Sequence, residues 1–529
     1  MPAEARKNSF LGKIRLSRKI IYPLLLSIFV VQGIILSIVI PPASGPDEAA
    51  HIINAAADVR GEFVKKSVVP GDNQYPIQKV TIPQTYALLN AEASCINRTF
   101  HQPANCHLSK AKCYEYTGQT KGCGYPILSS NREVTGTTYT GRYPLLYYLI
   151  VGIPTLFTNR ASVLYLMRFT SVLLDSIFIA LALYVIYAWS SNKWLLVAFV
   201  ACLVPTASYL ISVVNPQSLE ISTALCVWIS GMVLVREKFL KIPKSLLLIF
   251  GISTIFLLLS RPDAPEWTLL IYLVLLISSS PGFLKRLLKD RLVYVLLSII
   301  TIVGLFSAYW IFHFHSDTLV PAIQYPHNAN WLYVILAALG FTRTSFQELI
   351  GVLGWNNIFA PYLTVLIWLL IVGFLVCRSL FAIRLQRTRD YLPIIMTLLM
   401  LIFIPVVYSL VAKKSEGFII QGRYTLPAFF GVVITSCAVF NTSNRHKKTL
   451  FALVTVLVVA SLISFLWIIP QFEYGSFKNF IMNQSSLHWS PPFSPYLLFF
   501  IYLMSYGVLI VVYKNMLGVV RDKYNGVRT

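Results

Sequence analysis

Residues 20–51 read IIYPLLLSIFVVQGIILSIVI-PPASG-PDEAAH, an apolar run followed by a turn and then by a cluster of ionisable residues. The run at 20–40 is long enough to cross a bilayer, because one helical span needs about 20 apolar residues. Basic residues precede it, but it is longer than the apolar core of a cleaved signal peptide. We therefore predict that 20–40 is the first transmembrane helix and a retained anchor.

The rest of the chain repeats this pattern. The 529 residues are 56% hydrophobic and 12% charged, whereas soluble domains carry about 25% charged residues. The predicted fold class is an all-α integral membrane protein with about twelve transmembrane helices. They are expected near 20–40, 166–189, 194–214, 216–235, 245–260, 266–280, 292–313, 358–377, 391–412, 424–440, 449–470 and 495–513.

The net charge of +23 is concentrated in the loops that alternate along this topology. Positively charged loops face the cytoplasm, so this side is predicted to hold 1–19, 190–193, 236–244, 281–291, 378–390, 441–448 and 514–529. These segments contain 26 of the 44 Lys and Arg residues and only 5 of the 21 acids. The basicity therefore predicts topology and attraction to membrane lipid, and no nucleic-acid partner.

The predicted layout has both termini in the cytoplasm and the protein in the plasma (inner) membrane. Its parts are a basic tail at 1–19, the first span at 20–40, an extracytoplasmic loop at 41–165, a transmembrane bundle at 166–513 with an outer loop at 314–357, and a second tail at 514–529. The apolar stretch 143–157 is short and bounded by prolines. It is predicted to be a juxtamembrane helix in the first loop.

Four cysteines lie in the first loop, and an oxidising compartment would pair them. They are Cys95, Cys106, Cys113 and Cys123. Four cysteines allow three connectivities, and the sequence does not choose among them. A zinc site is the alternative, but no close C-x-x-C pair is present, so disulfides are the favoured prediction.

Asp47, Glu48 and His51 come directly after the first span and can share one helical face, because they are three and four residues apart. A carboxylate there could accept a proton from a hydroxyl group, with its neighbours orienting it or helping it to bind a metal. The simpler interpretation is a helix N-terminus, where acids meet free N–H groups and the positive end of the helix dipole.

These residues resemble the opening of the membrane glycosyltransferases with the C-type (GT-C) fold, which include protein O-mannosyltransferases and aminoarabinose transferases. The chain is most similar to an uncharacterised bacterial multi-pass family of that superfamily. Arg142-Tyr143-Pro144 is similar to the start of the juxtamembrane helix of those glycosyltransferases. The motifs shared with the bacterial family are Gly45-Pro46-Asp47-Glu48-x-x-His51, Asn215-Pro216, Ser260-Arg261-Pro262-Asp263 and Gln421-Gly422-Arg423-Tyr424-x-x-Pro427. They follow one another along most of the chain.

The resemblance implies transfer of a sugar from a polyprenyl-phosphate donor to an envelope glycan, a glycolipid or a protein, with inversion at the sugar. Asp47 would be the base, supported by Glu48 and His51, and the three together could hold Mg or Mn. Five further residues would bind the lipid phosphate or substrate, namely Arg168, Arg261, Arg423, Tyr424 and Tyr143. Glu220, Asp263 and Glu266 are expected to line the cavity or to pair with Arg261.

Each of these assignments has an alternative. Arginines at the ends of spans also serve as anchors that reach the lipid headgroups. A glycan-lipid transporter or flippase, or a glycan polymerase, could share the same topology. Transport is less favoured because the polar residues gather at one membrane face instead of following a path through the membrane.

Overall fold

The computed structural model describes residues 17–65, 77–87, 115–116, 120–121, 130–160, 162–316, 323–324, 330–340, 342–354, 358–382, 388–412, 417–418, 421–440, 446–474 and 491–519. Helices dominate this part of the chain, which confirms the predicted helical membrane class. The four loop cysteines lie outside the described residues, so their disulfides stay a prediction.

Nineteen α-helices occur in the described residues. The first seven are α1 (Arg18–Val39), α2 (Glu48–Asp58), α3 (Gln84–Ala87), α4 (Leu145–Val151), α5 (Val163–Trp189), α6 (Trp194–Cys202) and α7 (Pro205–Ile211). The next six are α8 (Pro216–Arg236), α9 (Lys244–Leu258), α10 (Ala264–Ser278), α11 (Phe283–Leu287), α12 (Arg291–His313) and α13 (Trp331–Gly340). The last six are α14 (Thr342–Gly351), α15 (Tyr362–Ala382), α16 (Thr388–Ala412), α17 (Leu426–Ala438), α18 (Lys447–Tyr474) and α19 (Pro495–Val519).

In the part of the chain that the structure describes, the strands form four antiparallel pairs, and short 3-10 helices lie at Ile153–Leu156 and Gly422–Thr425. β1 (Gln78–Pro83) pairs with β4 (Glu133–Thr138) in a register that places Gln78 opposite Thr138. The other pairs are β2 (Glu115–Tyr116) with β3 (Thr120–Lys121), β5 (Ile323–Gln324) with β8 (Gly417–Phe418), and β6 (Val352–Leu353) with β7 (Ile358–Phe359).

Eight helices of the described part are long and apolar enough to cross a membrane alone: α1, α5, α8, α12, α15, α16, α18 and α19. The pair α6 and α7 adds a ninth span if it is counted as one helix bent by 64°. Pro205 at the start of α7 explains the break, because proline fits the first helical turn but not the interior. The remaining predicted spans fall on α9, α10 and α17, which are shorter, so the count of twelve stays a prediction.

α8 is the centre of the bundle, and every residue from Pro216 to Val235 is buried. It packs against α5, α9, α10 and α17. The indole Nε1 of Trp228 donates a hydrogen bond to the Pro427 carbonyl at 2.9 Å, which fixes α17 against α8. A helix at such a position is packed on every side, so its polar residues must find partners inside the protein.

The stretch 143–157 forms α4 and the following 3-10 helix, which is too short for a span, as predicted. Gly152 at the end of α4 approaches α2 so closely that an added Cβ atom would lie 2.4 Å from the Ala55 carbonyl oxygen. Glycine is therefore required there, and α2 and α4 form one buried layer over the bundle.

The two ends of the bundle differ in charge. One end, here called the loop end, joins the end of α1 to α2, α4 and the starts of α5 and α8. The opposite end, here called the basic end, carries the positive loops that join the other helix termini. Arg236 at the end of α8 pairs there with Asp390 at the start of α16. Ser191 donates to Glu237, and Lys193 donates to the Leu517 carbonyl, so described residues of four predicted cytoplasmic segments meet at this end; the side of the membrane that it faces stays a prediction.

The predicted orientation can be tested by labelling single cysteines in a Cys377→Ser background, because Cys377 is exposed. Val64 near the loop end and Leu240 at the basic end are 73% and 98% exposed. On intact cells, a membrane-impermeant maleimide should label Val64→Cys but not Leu240→Cys, and permeabilisation should make both react. The reverse pattern would place the basic end outside. The Cys377→Ser parent measures the background from the loop cysteines.

Candidate functional site

The segment between α1 and α2 is a compact turn. Asp47 is its last residue and has a left-handed backbone, with φ of 59°. Aspartate tolerates this conformation better than most residues. The turn allows α2 to start directly at Glu48 and directs the two neighbouring carboxylates to different surroundings.

Glu48 points into the protein and is completely buried. Its carboxylate forms a bidentate ion pair with Arg168 of α5, with Nε–Oε1 and Nη2–Oε2 distances of 2.6 and 2.7 Å. The backbone N–H groups of Gly45 and Val214 donate to the same two oxygens, each at 3.0 Å. Both Glu48 oxygens are therefore occupied by four donors within the protein.

Arg168 completes this arrangement at the end of α1. Its Nη1 and Nη2 atoms donate to the carbonyls of Ser37, Ile40 and Pro41 at 2.6–2.8 Å. A helix leaves its last carbonyls unpaired, and the guanidinium satisfies them here. With five N–H groups engaged and 1% of the residue exposed, Arg168 has no donor left for a phosphate. Arg168 and Glu48 therefore form the scaffold of the site, whereas the resemblance implied that Arg168 binds the lipid phosphate.

The connection between α7 and α8 holds the turn from its other side. The side-chain amide of Asn215 donates to the Pro46 carbonyl at 2.8 Å, and its oxygen accepts from Gln217 N, which caps α8. Its backbone N–H donates to the Tyr147 hydroxyl at 2.8 Å. The Asn215-Pro216 motif thus positions the turn that carries Asp47.

Asp47 faces a polar space, and its side chain is 28% exposed. The Tyr139 hydroxyl donates to Oδ1 at 2.8 Å, and Oδ2 lies 3.5 Å from Arg423 Nη2. Burial and the nearby Asp47 charge raise the pKa of Tyr139 well above its ordinary value, so this hydroxyl stays protonated and orients the carboxylate. Asp47 is the accessible member of the acidic pair.

Two arginines face the ring of Tyr424. The guanidinium carbons of Arg261 and Arg423 lie 5.2 and 5.3 Å from its centroid, within the range of cation–π contacts. Arg423 Nε is buried without a hydrogen-bond partner, whereas Arg261 pairs with Glu220 at 2.7 Å and with Asp263 at 3.4 Å. Arg261 is thus paired with two of the three acids that were expected to line the cavity or to pair with it, and Arg423 keeps the more available positive charge.

The 3-10 helix that carries Arg423 is attached to α14 and α8. Gly422 N donates to a Glu348 carboxylate oxygen at 2.6 Å. An added Cβ on Gly422 would lie 1.9 Å from the Ser345 carbonyl oxygen, so only glycine fits. Gln217 Nε2 donates to the Arg423 carbonyl at 3.0 Å. Parts of the chain about 200 residues apart in sequence meet here.

His51 lies beneath these groups, 3% exposed. Its Nδ1 is 2.9 Å from the Tyr148 hydroxyl, and its ring contacts those of Tyr143 and Tyr148, with centroids 5.9 Å apart in each pair. Burial, with help from the charges of Arg261 and Arg423, holds the pKa of His51 well below its ordinary range. We infer a neutral imidazole that supports Tyr143 and the floor of the site.

The expected Mg or Mn site at Asp47, Glu48 and His51 does not fit this geometry. Glu48 is saturated by Arg168 and backbone donors, and His51 Nδ1 faces Tyr148. Within the described ranges, no group of three His, Cys, Asp or Glu residues is arranged to hold a metal ion. We derive no step through a metal.

The fold and this site define the chain as a polytopic α-helical membrane protein with a polar site at one end of its bundle. The chain belongs to the family described as predicted membrane protein (DUF2142), whose family model matches residues 29–432. This range covers the motifs around Asp47, Asn215, Arg261 and Arg423. No curated protein and no solved structure matches the chain.

Tyr139, Gln217 and Glu348 were not predicted. Tyr139 lies in a polar loop, and nothing in the sequence places it beside Asp47. Gln217 was the easiest of the three to predict, because it follows Asn215-Pro216. The first turn of a helix that begins at a functional site often contributes residues to that site. Glu348 belongs to α14, which is distant in the sequence, and only the fold brings it to Gly422.

Substitution of Glu48 by Gln should destabilise the protein, because it leaves the buried Arg168 charge without a partner. Breaking one side of a buried ion pair costs about 3–5 kcal/mol. Thermal unfolding of the purified protein, followed by tryptophan fluorescence, should show a lower midpoint than wild type. Asp47→Asn is the matched control because its carboxylate is partly exposed. Equal midpoints for Glu48→Gln and the control would contradict the scaffold role.

The low pKa of His51 predicts a pH-dependent stability. The unfolded chain binds a proton at this residue near pH 6.5, while the folded protein resists it. The contribution of the neutral His51 to the free energy of unfolding is therefore fully present above about pH 6.5. It is lost as the pH falls below that value. Unfolding midpoints measured from pH 7.5 to 5 should fall less steeply for His51→Gln than for wild type. Parallel curves would show that His51 titrates normally.

Proposed function

We propose that this protein is a membrane glycosyltransferase that moves a sugar from polyprenyl phosphate to an acceptor on the extracytoplasmic side. The observation that carries the proposal is the arrangement around Asp47. A partly exposed carboxylate lies 3.5 Å from a guanidinium that has a buried, unpaired Nε. A proton acceptor and an anion-binding group thus lie side by side at one end of a transmembrane bundle.

In the proposed reaction, Asp47 accepts the proton of an acceptor hydroxyl group. That oxygen forms a bond with the anomeric carbon of the sugar while the bond between this carbon and the phosphate oxygen breaks. A single displacement inverts the anomeric configuration. Tyr139 orients Asp47 by donating to Oδ1, and the carboxylate has lone pairs left for the acceptor because each of its oxygens accepts more than one hydrogen bond.

The leaving group is polyprenyl phosphate, which gains negative charge as the bond breaks. Arg423 is suited to stabilise that charge, because its Nε is unpaired and guanidinium groups bind phosphate oxygens through paired donors. Arg261 is largely neutralised by Glu220 and Asp263, so we assign it the smaller part in stabilising the leaving phosphate. Tyr424 holds the two guanidiniums apart, and Tyr143 forms part of the floor beside His51.

The position of the site supports a lipid-linked donor. It lies at the ends of the helices, where the prenyl chain would stay in the bilayer while the phosphate reaches the arginines. In the predicted orientation this end faces the extracytoplasmic side of the plasma membrane, so the acceptor would be an envelope glycan, a glycolipid or a protein.

A glycan-lipid transporter is the second candidate, favoured by the bent pair α6 and α7, because broken helices are common in transporters. α7 lies beside the site, with the Tyr209 hydroxyl donating to the Ser44 carbonyl at 3.2 Å. Transport of a lipid-linked glycan in proteoliposomes, without covalent transfer, would favour this function.

Asp47→Asn should abolish transfer with the fold intact. Loss of a general base lowers a rate by about 10²- to 10⁴-fold. The measurement uses membranes that contain equal amounts of each variant, radiolabelled polyprenyl-phosphate sugars and an acceptor extract. Glu62→Gln is the matched control, because Glu62 accepts hydrogen bonds from Thr81 N in the first loop, away from the site. Transfer that persists in Asp47→Asn would remove Asp47 from the mechanism.

A further inference from the structure

Two cavities adjoin each other at the basic end of the bundle, away from Asp47. The first is apolar, has a volume of about 420 Å³ and lies among α8, α9, α10, α11 and α12. The second is cationic and has a volume of about 560 Å³. Both volumes fall within the range of small-molecule sites, roughly 300–1,000 Å³.

The apolar cavity opens towards the membrane. Its lining includes Leu276, Leu284 and Leu297, which are 48%, 47% and 43% exposed on the lateral surface of the bundle. Leu247 and Val293 form its deeper, buried wall. A lipid chain could therefore enter it from the side without crossing a polar barrier.

The cationic pocket is lined by Lys238, Arg286 and Arg389, together with Ser280 and Pro281. The acids that adjoin Lys238 and Arg389 in the sequence have other partners. Glu237 accepts from the backbone and hydroxyl of Ser191, and Asp390 pairs with Arg236. The three cations thus converge without an acid among the lining residues, which favours an anionic ligand.

A single segment connects the two cavities. Ser280 in the cationic pocket donates its N–H to the carbonyl of Val235, which lines the apolar cavity, at 3.0 Å. Gly282 then turns the chain with φ of 72°, so that α11 directs Phe283 and Leu284 into the apolar cavity. Arg286 of the same helix donates to Ser280 Oγ at 3.2 Å. A charged headgroup and an attached chain would therefore meet adjoining surfaces.

We propose that these two cavities form one binding site for an anionic glycerophospholipid of the leaflet at the basic end. The phosphate contacts Lys238, Arg286 and Arg389, and an acyl chain fills the apolar cavity. A free phosphate would leave the apolar cavity unused, and a zwitterionic phospholipid would bring a positive group to a cationic pocket. Basic pockets between transmembrane helices at such an end bind anionic headgroups in this way.

The test is native mass spectrometry of the full chain, purified in detergent, delipidated and titrated with dioleoylphosphatidylglycerol or dioleoylphosphatidylcholine. The wild type should retain one phosphatidylglycerol in preference to phosphatidylcholine. Lys238→Gln/Arg286→Gln should lower that affinity roughly 30-fold, because each cation near a membrane surface contributes about a factor of five. The preference between the two lipids should then disappear.

Lys285→Gln/Lys289→Gln is the matched control, since it removes the same amount of charge from the segment that carries Arg286, at positions outside the pocket. It should change the affinity by less than about threefold, as expected of exposed charges that touch no ligand. Leu297→Trp should narrow the apolar cavity and weaken both lipids. Equal binding of both lipids by wild type, equal losses in the two double variants, or displacement of the lipid by glycerol phosphate would each overturn the proposal.

Discussion

The buried ion pair between Glu48 and Arg168 is the interaction on which the rest of the site depends. An arginine in the interior of a membrane protein is costly unless every donor has an acceptor, and Arg168 meets this demand by binding the last carbonyls of α1 together with Glu48. The pair therefore joins α1, α2 and α5 at one point. It also fixes the tight turn in which Asp47 adopts its left-handed backbone, so one carboxylate positions the other.

Asp47 and Glu48 show how two adjacent acids acquire different roles from their surroundings. Glu48 receives four donors and is sealed from solvent, whereas Asp47 receives one hydroxyl group and faces Arg423 across 3.5 Å. Arg261 and Arg423 differ in the same manner, because Arg261 pairs with Glu220 at 2.7 Å and with Asp263 at 3.4 Å, whereas the acid beside Arg423 is Asp47 at 3.5 Å. The groups left incompletely paired are those that a substrate would engage, and they lie together around Tyr424.

The distribution of charge gives the two ends of the bundle different functions in the proposed scheme. At the loop end, Arg168 and Arg261 are paired with buried acids, whereas Arg423 keeps an unpaired Nε beside Asp47, which suits a site that binds and releases a charged substrate. At the basic end, cations are numerous and mostly exposed, which suits attraction to the membrane surface. The pocket around Lys238, Arg286 and Arg389 is distinguished from that general attraction by the apolar cavity that adjoins it.

The sequence by itself determined the membrane class, the short helix within 143–157 and the motifs that make up the site. These features depend on local composition and on the thickness of the bilayer, which a linear chain displays directly. Only the tertiary structure decided which of the motif residues are scaffold and which are accessible. Arg168 and Arg423 both stand at the ends of helices in the sequence, and the difference between them arises from the partners that distant segments bring. The tertiary structure also decided that Tyr139 contacts Asp47 and that Glu348 binds Gly422. Burial and pairing are properties of packed helices, and no spacing along the chain encodes them.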